Sequence, residues 1–171
     1  MSTTATETEM DTMPTKPLPE HAWLKKLIGQ WKTETEMWMG PDASSQKAQG
    51  TETCTDIGGL WAYAEGTSKM ADGTDMVYKS ALGYDVSFKE YRGCTFMSVS
   101  SHLWKTTGKL SQDGRVMTLD CVGPSMTKDG ETANYRDVIE IIDNDHRTLT
   151  SSGQQDNGEW QQFMKATYTR V

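Results

Sequence analysis

Hydrophobic and polar positions change their spacing at Gly29, and this change predicts the architecture. Before the glycine, Leu24, Leu27 and Ile28, with Trp23 beside them, form one face of a helix that has Pro19 in its first turn and ends at Gly29. After it, apolar and polar residues alternate with period two, and no second helix is predicted. We therefore expect a short helix followed by strands.

Ten strands are predicted, because the alternating runs are separated by residues that form turns. The breaks place aspartate or asparagine beside glycine, as tight hairpins do. The predicted bounds are 30–39, 48–57, 60–69, 75–84, 90–100, 102–110, 115–122, 133–143, 147–155 and 159–170. Short hairpins favour an antiparallel up-and-down order, and closing the sheet removes its exposed edges. The predicted fold is all-β: a single closed ten-stranded antiparallel barrel with a short N-terminal helix.

The chain should form one domain behind a polar tail. Its 171 residues suit a single domain. Residues 1–17 are polar and aperiodic, so we expect a disordered tail, with the barrel domain spanning 18–171. The tail lacks the pattern of a signal peptide, and no apolar run reaches the roughly 20 residues of a membrane span. The expected location is cytoplasmic.

Charge and cysteine content disfavour several classes of partner. The formal charge is −7 and the isoelectric point is near 4.9, without a compensating basic stripe. Nucleic acids and anionic membrane surfaces are therefore not expected as partners. Cys54, Cys94 and Cys121 are widely spaced, which indicates reduced thiols rather than a zinc or redox motif. Nothing in the sequence specifies an oligomeric state.

We expect no cofactor and no metal. His21, His102 and His146 lie on different predicted elements without ligand spacing. The chain has neither a Gly-rich phosphate loop nor a Gly-x-Ser-x-Gly motif. Eleven methionines, two of them in Met37-Trp38-Met39, raise the alternative of soft-metal binding. Methionines that line a core or an adaptable apolar pocket are the commoner case.

Two sets of motifs resemble known families. Gly29-Gln30-Trp31 on the first strand and Arg170 near the end of the last resemble lipocalin-like (calycin) barrels, whose arginine packs across the tryptophan and closes the base. A longer series is similar to DUF1579, an uncharacterised bacterial family of lipocalin-like proteins. That series is His21-Ala22-Trp23-Leu24, Ile28-Gly29-Gln30-Trp31, Gly58-Gly59-Leu60-Trp61, Ala64-Glu65-Gly66, Leu82-Gly83-Tyr84-Asp85, His102-Leu103-Trp104, Tyr135-Arg136-Asp137-Val138 and Asp145-His146-Arg147. The resemblance implies the fold and brings no established activity.

Two predicted strands carry candidate ligand-binding residues. His102 and Trp104 share one strand face, and Trp61 and Glu65 share a face of another. If both faces point inward, aromatic walls, an imidazole and a carboxylate form a small-molecule pocket. Otherwise His102 is a hydrogen-bonded barrel histidine and Glu65 lies outside beside a lysine.

The segment Tyr135-Arg136-Asp137 must divide between two faces. Either Tyr135 and Asp137 point inward, or Arg136 does. An inward Arg136 would suit a carboxylate ligand, whereas an outward one would form a cross-strand ion pair. Both Tyr135 and Arg136 are candidate ligand-binding residues.

The favoured function is non-catalytic binding of a small hydrophobic or amphipathic molecule inside the barrel. The candidate residues are Trp61, Glu65, His102, Trp104, Tyr135 and Arg136. The alternative is a barrel enzyme of modest acid–base chemistry, of the isomerase or cyclase type, that uses His102 or Glu65. A third possibility is a barrel filled by its own side chains that acts through its surface. An internal cavity would separate the first two from the third.

Overall fold

The computed structural model describes residues 15–38, 40, 44–70 and 72–171. A 3₁₀ helix, Pro19–Lys26, precedes ten strands. The strands are β1 (Gly29–Met37), β2 (Gln46–Ile57), β3 (Trp61–Lys69), β4 (Asp75–Asp85), β5 (Glu90–Met97), β6 (Ser100–Leu110), β7 (Val116–Pro124), β8 (Thr132–Ile141), β9 (His146–Gln154) and β10 (Trp160–Arg170). The ten predicted strands are confirmed in number and order, with ends that differ by up to three residues.

The sheet closes on itself. Each strand pairs antiparallel with the next one in sequence, and β1 pairs antiparallel with β10. The first and last strands are in register from Trp31↔Arg170 to Met37↔Met164. The predicted closed ten-stranded up-and-down barrel is therefore confirmed. We call the end that carries the N-terminal helix the helix end, and the end at which β7 stops and β8 starts the far end.

The N-terminal helix fills the helix end of the barrel. Its Trp23 and Leu24 are buried and join a core with Met117 of β7, which is fully buried. The Trp23 indole donates to the carbonyl oxygen of Gly114 at 3.1 Å, and the Tyr91 hydroxyl donates to that of Glu20 at 2.6 Å. These bonds hold the helix across the opening. Among the described residues, no helix is long and apolar enough to cross a membrane.

Several inward positions at the far end of the barrel are only partly buried. Successive residues of a strand alternate between the two sheet faces, so the face of a buried residue identifies the inward positions. Towards the far end these positions include Met37 and Met164, Met97, His102 and Trp104, and all of them keep part of their surface accessible. Other inward positions of the far half, such as Cys121, Tyr135 and Gly153, are buried. Near the helix end Met117 is buried, while Tyr84 and Leu110 are partly accessible.

Most of the predicted tail falls outside the described residues, because residues 1–14 are not among them. Its last residue, Pro17, lies against Gly59 in the turn between β2 and β3, where a side chain on the glycine would meet the proline ring.

The predicted loop at 123–132 is shorter in the structure. Strand β7 continues to Pro124 and β8 starts at Thr132.

Candidate functional site

Strand β6 places His102 and Trp104 on the inner face at the far end. The two rings meet edge to face with centroids 4.8 Å apart. Trp104 meets the Tyr135 ring in the same way at 5.2 Å, and Tyr135 meets Phe163 at 6.1 Å. Perpendicular ring contacts at these distances are favourable. The four rings form a continuous aromatic row, which we define as His102, Trp104, Tyr135 and Phe163.

Strand β8 turns Tyr135 and Asp137 inward and Arg136 outward. Tyr135 is buried, and its hydroxyl donates to the carbonyl oxygen of Pro124 at 2.6 Å. The Arg136 guanidinium forms two hydrogen bonds with the Asp120 carboxylate, at 2.7 and 2.9 Å, and lies over the Trp160 ring. The sequence left open whether Tyr135 and Asp137 or Arg136 point inward. The structure shows that Arg136 belongs to the outer wall.

The prediction that Trp61 and Glu65 face the interior is wrong. Trp61 is 40% exposed. The Glu65 carboxylate accepts hydrogen bonds from Tyr63 at 2.7 Å and from Lys79 at 2.9 Å on the outer surface. The inner face of β3 instead carries Ala62, Ala64 and Gly66, which are buried. Glu65 therefore cannot act with His102 as an acid–base pair inside the barrel.

Small residues occupy the inner face of β3 because other side chains fill that space. Gly66 is the cross-strand partner of Tyr78, and a Cβ on the glycine would overlap the Tyr78 ring. Ala62 and Ala64 contribute to the same core as Trp23 of the helix. A large side chain on this face would displace either the tyrosine or the helix.

A groove of about 780 Å³ crosses the outer wall at the far end. Pairing between β6 and β7 runs only from Thr106↔Cys121 to Leu110↔Met117, and the β6 segment 100–105 lies beyond it. Most of the residues that line the groove face outward, but His102, Cys121 and Tyr135 belong to the inner face. Its lining is His102, Leu103, Lys105, Thr107, Asp120, Cys121, Val122, Asn134, Tyr135, Gln154 and Trp160. The groove therefore lies where β6 and β7 separate, beside residues of the inner face.

His102 and Trp104 fill the place where this strand pair separates. The His102 Nε2 atom lies 3.2 Å from the carbonyl oxygen of Val122 on β7. The Trp104 ring lies against Gly123, where a Cβ would overlap it. Its indole Nε1 is buried and has no hydrogen-bond partner among the described residues. An unpaired buried donor is costly, so this N–H would gain from an acceptor.

Asp137 lies one step deeper along β8 than Tyr135. Its cross-strand partners are Leu119 and Ser151, and the Ser151 hydroxyl donates to its Oδ1 atom. Burial raises the pKa of this carboxyl, and the bond from Ser151 offsets part of that rise. Burial also raises the pKa of the nearby Cys121 thiol to about 12, with Asp137 adding to the effect. Cys121 is therefore a neutral thiol.

A buried ion pair occupies the middle of the barrel. Arg147 donates to the Glu52 carboxylate, and both side chains are nearly inaccessible. The Tyr78 hydroxyl donates to the other Glu52 oxygen at 2.6 Å, and the Tyr168 ring lies 3.6 Å from the guanidinium carbon of Arg147. The sequence did not reveal this cluster, because its members are scattered along the chain. In the described residues, no group of three or more His, Cys, Asp or Glu side chains is placed to hold a metal ion.

A model of the family described as a protein of unknown function, DUF1579, matches residues 16–170. The chain belongs to the DUF1579 family. The resemblance inferred from the motif series is thereby confirmed, while a bacterial origin stays a prediction. No curated protein matches this DUF1579 chain significantly.

Two solved structures resemble the DUF1579 barrel over most of its length. The S-type phycobiliprotein lyase CPES from Guillardia theta is 12% identical, with a TM-score of 0.60 over 90% of this chain and 93% of that chain. Rv2717c from M. tuberculosis is 15% identical, with a TM-score of 0.60 over 91% of this chain and 99% of that chain. At these identities the likeness shows the fold.

Proposed function

We propose that this protein binds a small, partly apolar molecule at the far end of the barrel without catalysing a reaction on it. The observation that supports the proposal is the groove, whose lining includes His102, Cys121 and Tyr135 of the inner face. Its volume of about 780 Å³ falls within the roughly 300–1,000 Å³ of small-molecule sites. The site thus combines an open groove on the outer wall with aromatic side chains of the inner face next to it.

The aromatic row would supply most of the binding energy. Trp104 lies between His102 and Tyr135, so a flat or apolar group that enters past them gains contact with large rings. On the outer face, the exposed Leu103 and Val122 add apolar surface to the groove. The unpaired Trp104 N–H would bond an acceptor on the molecule and fix its orientation.

Arg136 would act at the outer wall of the groove. Its guanidinium carbon lies 4.3 Å from the Trp160 ring centre while its nitrogens hold Asp120. This arrangement fixes Trp160 as a flat side of the groove. We include Arg136 in the proposed site as the residue that orients this wall, and not as the partner of a carboxylate inside the barrel.

The contacts of His102 favour binding over acid–base catalysis. Its Nε2 atom lies beside the backbone carbonyl of Val122, and its ring packs on Trp104. A general base is usually oriented by a carboxylate or another base, and Glu65 lies on the outer surface. Cys121, with its pKa raised to about 12, is a poor nucleophile.

A cytoplasmic location is part of the proposal. Cys54, Cys94 and Cys121 are free thiols, as expected for a protein that works in a reducing compartment. Cys54 and Cys121 are buried, which suits structural rather than redox roles.

Native mass spectrometry of the full chain, purified from its own host, tests the proposal. We expect a mass excess that corresponds to a bound small molecule. His102→Ala should lose this species, while His146→Ala should keep it, because His146 is an exposed residue paired with Asp143 at the helix end. Circular dichroism should be the same for both variants. Either of two results would contradict the proposal: no bound species in the wild-type protein, or equal retention in the two variants.

A further inference from the structure

The interior already balances the charge of its central arginine. Arg147 is 5% exposed and is held by Glu52, with the Tyr168 ring against its guanidinium. Arg170, the other arginine on the inner face of the described strands, is bound at the sealed helix end to the carbonyl oxygens of Ile28 and Asn144. The Arg147 Nε–H has no hydrogen-bond partner among the described residues, but Glu52 already offsets the charge of the guanidinium. Arg170 likewise lies 3.6 Å from the Asp145 carboxylate. A carboxylate that entered the interior would therefore meet no uncompensated positive charge. Burying an anion without such a partner is strongly unfavourable.

Asp137 is a polar side chain of the interior close to the residues that line the groove. It shares the inner face of β8 with Tyr135, which is one of those lining residues, and lies two residues deeper along the strand. One carboxyl oxygen accepts the Ser151 hydrogen bond, and the side chain keeps part of its surface accessible. Unlike Glu52, Asp137 has no cationic partner among the described residues.

We propose that Asp137 recognises the polar group of the bound molecule, and that this group is an uncharged hydrogen-bond acceptor such as an ester or ketone carbonyl. The apolar remainder of the molecule lies along the aromatic row. This inference rests on the proposed function and names the class of ligand for the same site. It replaces the carboxylate ligand that an inward Arg136 would have suited.

The protonation state of Asp137 fits this role. Burial raises the pKa of the carboxyl, so the protonated acid can donate a hydrogen bond to a carbonyl oxygen. The groups next to it are the Cys121 thiol of β7 and the Ser151 hydroxyl of β9, while the Tyr135 phenol of its own strand donates to the Pro124 carbonyl oxygen. None of these three is ionised at neutral pH. Above its pKa, Asp137 becomes an acceptor only and repels the carbonyl oxygen.

Competition between two molecules with the same alkyl chain tests the ligand class. Methyl decanoate is uncharged and carries only acceptors, whereas decanoate is an anion at neutral pH. Each is titrated against the full chain loaded with the uncharged dye N-phenyl-naphthylamine. We expect the ester to displace the dye at a concentration at least about tenfold lower than decanoate. The comparison is repeated in Lys105→Gln, because this ammonium lines the groove and could hold a carboxylate outside the barrel. The preference should persist in that variant.

Substitution of Asp137 tests the residue itself. Asp137→Val should weaken binding of methyl decanoate by about tenfold, through loss of the hydrogen bond. Asp137→Asn keeps an N–H donor, so it should retain binding. The wild-type affinity for the ester should fall as the pH rises through the pKa of Asp137, and this fall should be absent in Asp137→Asn. Asp143→Asn, in an exposed turn, should behave as wild type.

The outcomes separate the two proposals. If decanoate competes as well as its ester, or if Asp137→Asn keeps the wild-type pH profile, the recognition by Asp137 is wrong while binding at the far end stands. If Asp137→Val does not fold, the pH profile of ester binding in Asp137→Asn still tests whether Asp137 recognises the ligand. If the dye and the ester both fail to bind the wild-type protein, the proposed function and this inference fall together.

Discussion

The Arg170 guanidinium lies across the indole of Trp31 at the helix end, with its carbon 4.1 Å from the ring centre. The two residues are direct cross-strand partners on the last and first strands, so the contact joins the sheet where it closes. Arg170 also donates to the carbonyl oxygen of Ile28 at 2.6 Å, and the Trp31 indole donates to that of Leu27 at 2.9 Å. Both bonds satisfy carbonyls at the end of the N-terminal helix. The pair predicted from the lipocalin-like resemblance is confirmed.

Replacing either residue of this pair should destabilise the barrel. Trp31→Ala should lower the free energy of unfolding by about 3–5 kcal/mol, as a large-to-small change in a core. Arg170→Ala should lower it by about 1–3 kcal/mol, through loss of the cation–π contact and of hydrogen bonds to carbonyls. Arg92→Ala is the matched control. Arg92 also covers a ring, that of Phe88, but it does so at the surface, so about 1 kcal/mol or less is expected. Equal losses for the two arginines in urea denaturation would contradict this account.

Gly123 is required for the position of Trp104. A Cβ at this residue would overlap the indole, so Gly123→Ala should push the ring out of the aromatic row. We expect binding of N-phenyl-naphthylamine to weaken by about tenfold, with a shift in tryptophan fluorescence. Gly153→Ala is the control, because a Cβ there would lie 3.5 Å from the Tyr135 ring, an ordinary contact. Equal dye affinity in the two variants would show that the placement of Trp104 does not govern binding.

The barrel itself could be predicted because its signals are local. Period-two alternation, turns rich in aspartate and glycine, and the change of spacing at Gly29 each act over a few residues. The turn glycines Gly58, Gly59, Gly73, Gly114 and Gly158 have positive φ angles, as the predicted hairpins require. The strand order then follows from short connections.

The direction of each strand face could not be predicted in the same way. Period two shows that Trp61 and Glu65 share a face, but not that this face is outside. The sequence contained a signal that was not used: Ala62, Ala64 and Gly66 alternate with larger residues, as on a strand whose inner face is crowded. What crowds it is Tyr78 from β4, and this contact depends on packing between strands.

The remaining features of the site depend on register. Glu52 and Arg147 are 95 positions apart in sequence, and Asp137 meets Ser151 only through the pairing of β8 with β9. The separation of β6 from β7 beyond Thr106 likewise has no signature in the alternation of residues. Such features become visible only when strands are aligned.

Asp137 should make the barrel less stable as the pH rises. The pKa of Asp137 is raised in the folded protein, whereas an aspartate in the unfolded chain has a pKa of about 3.9. At pH values between the two, the folded state holds the proton that the unfolded chain has lost. The free energy of unfolding therefore falls as the pH rises between these two pKa values. Above the pKa of the folded state, the effect of Asp137 on stability is constant. Asp137→Asn should remove this loss and become more stable relative to wild type with rising pH.

Asp72→Asn is the control of opposite sign for that experiment. The backbone N–H of Thr74 bonds the Asp72 carboxylate and lowers its pKa. The stabilisation that Asp72 gives the folded protein is present above the pKa of the unfolded chain. It is lost as the pH falls through the lower pKa of the folded protein. Chemical denaturation at a series of pH values measures both variants. If the free energy of unfolding depends on pH in Asp137→Asn as it does in the wild type, the prediction is wrong.

Titration of the full chain with N-phenyl-naphthylamine, compared between Trp104→Ala and Trp61→Ala, tests most directly whether a molecule binds at the far end. Both changes remove an indole from a strand, but Trp104 belongs to the aromatic row and Trp61 lies on the outer face. We predict that Trp104→Ala weakens dye binding by at least about tenfold, through loss of a large buried contact, while its circular dichroism spectrum stays close to wild type. Trp61→Ala should bind as the wild type does. Undiminished binding in Trp104→Ala, or an equal loss in Trp61→Ala, would contradict the account.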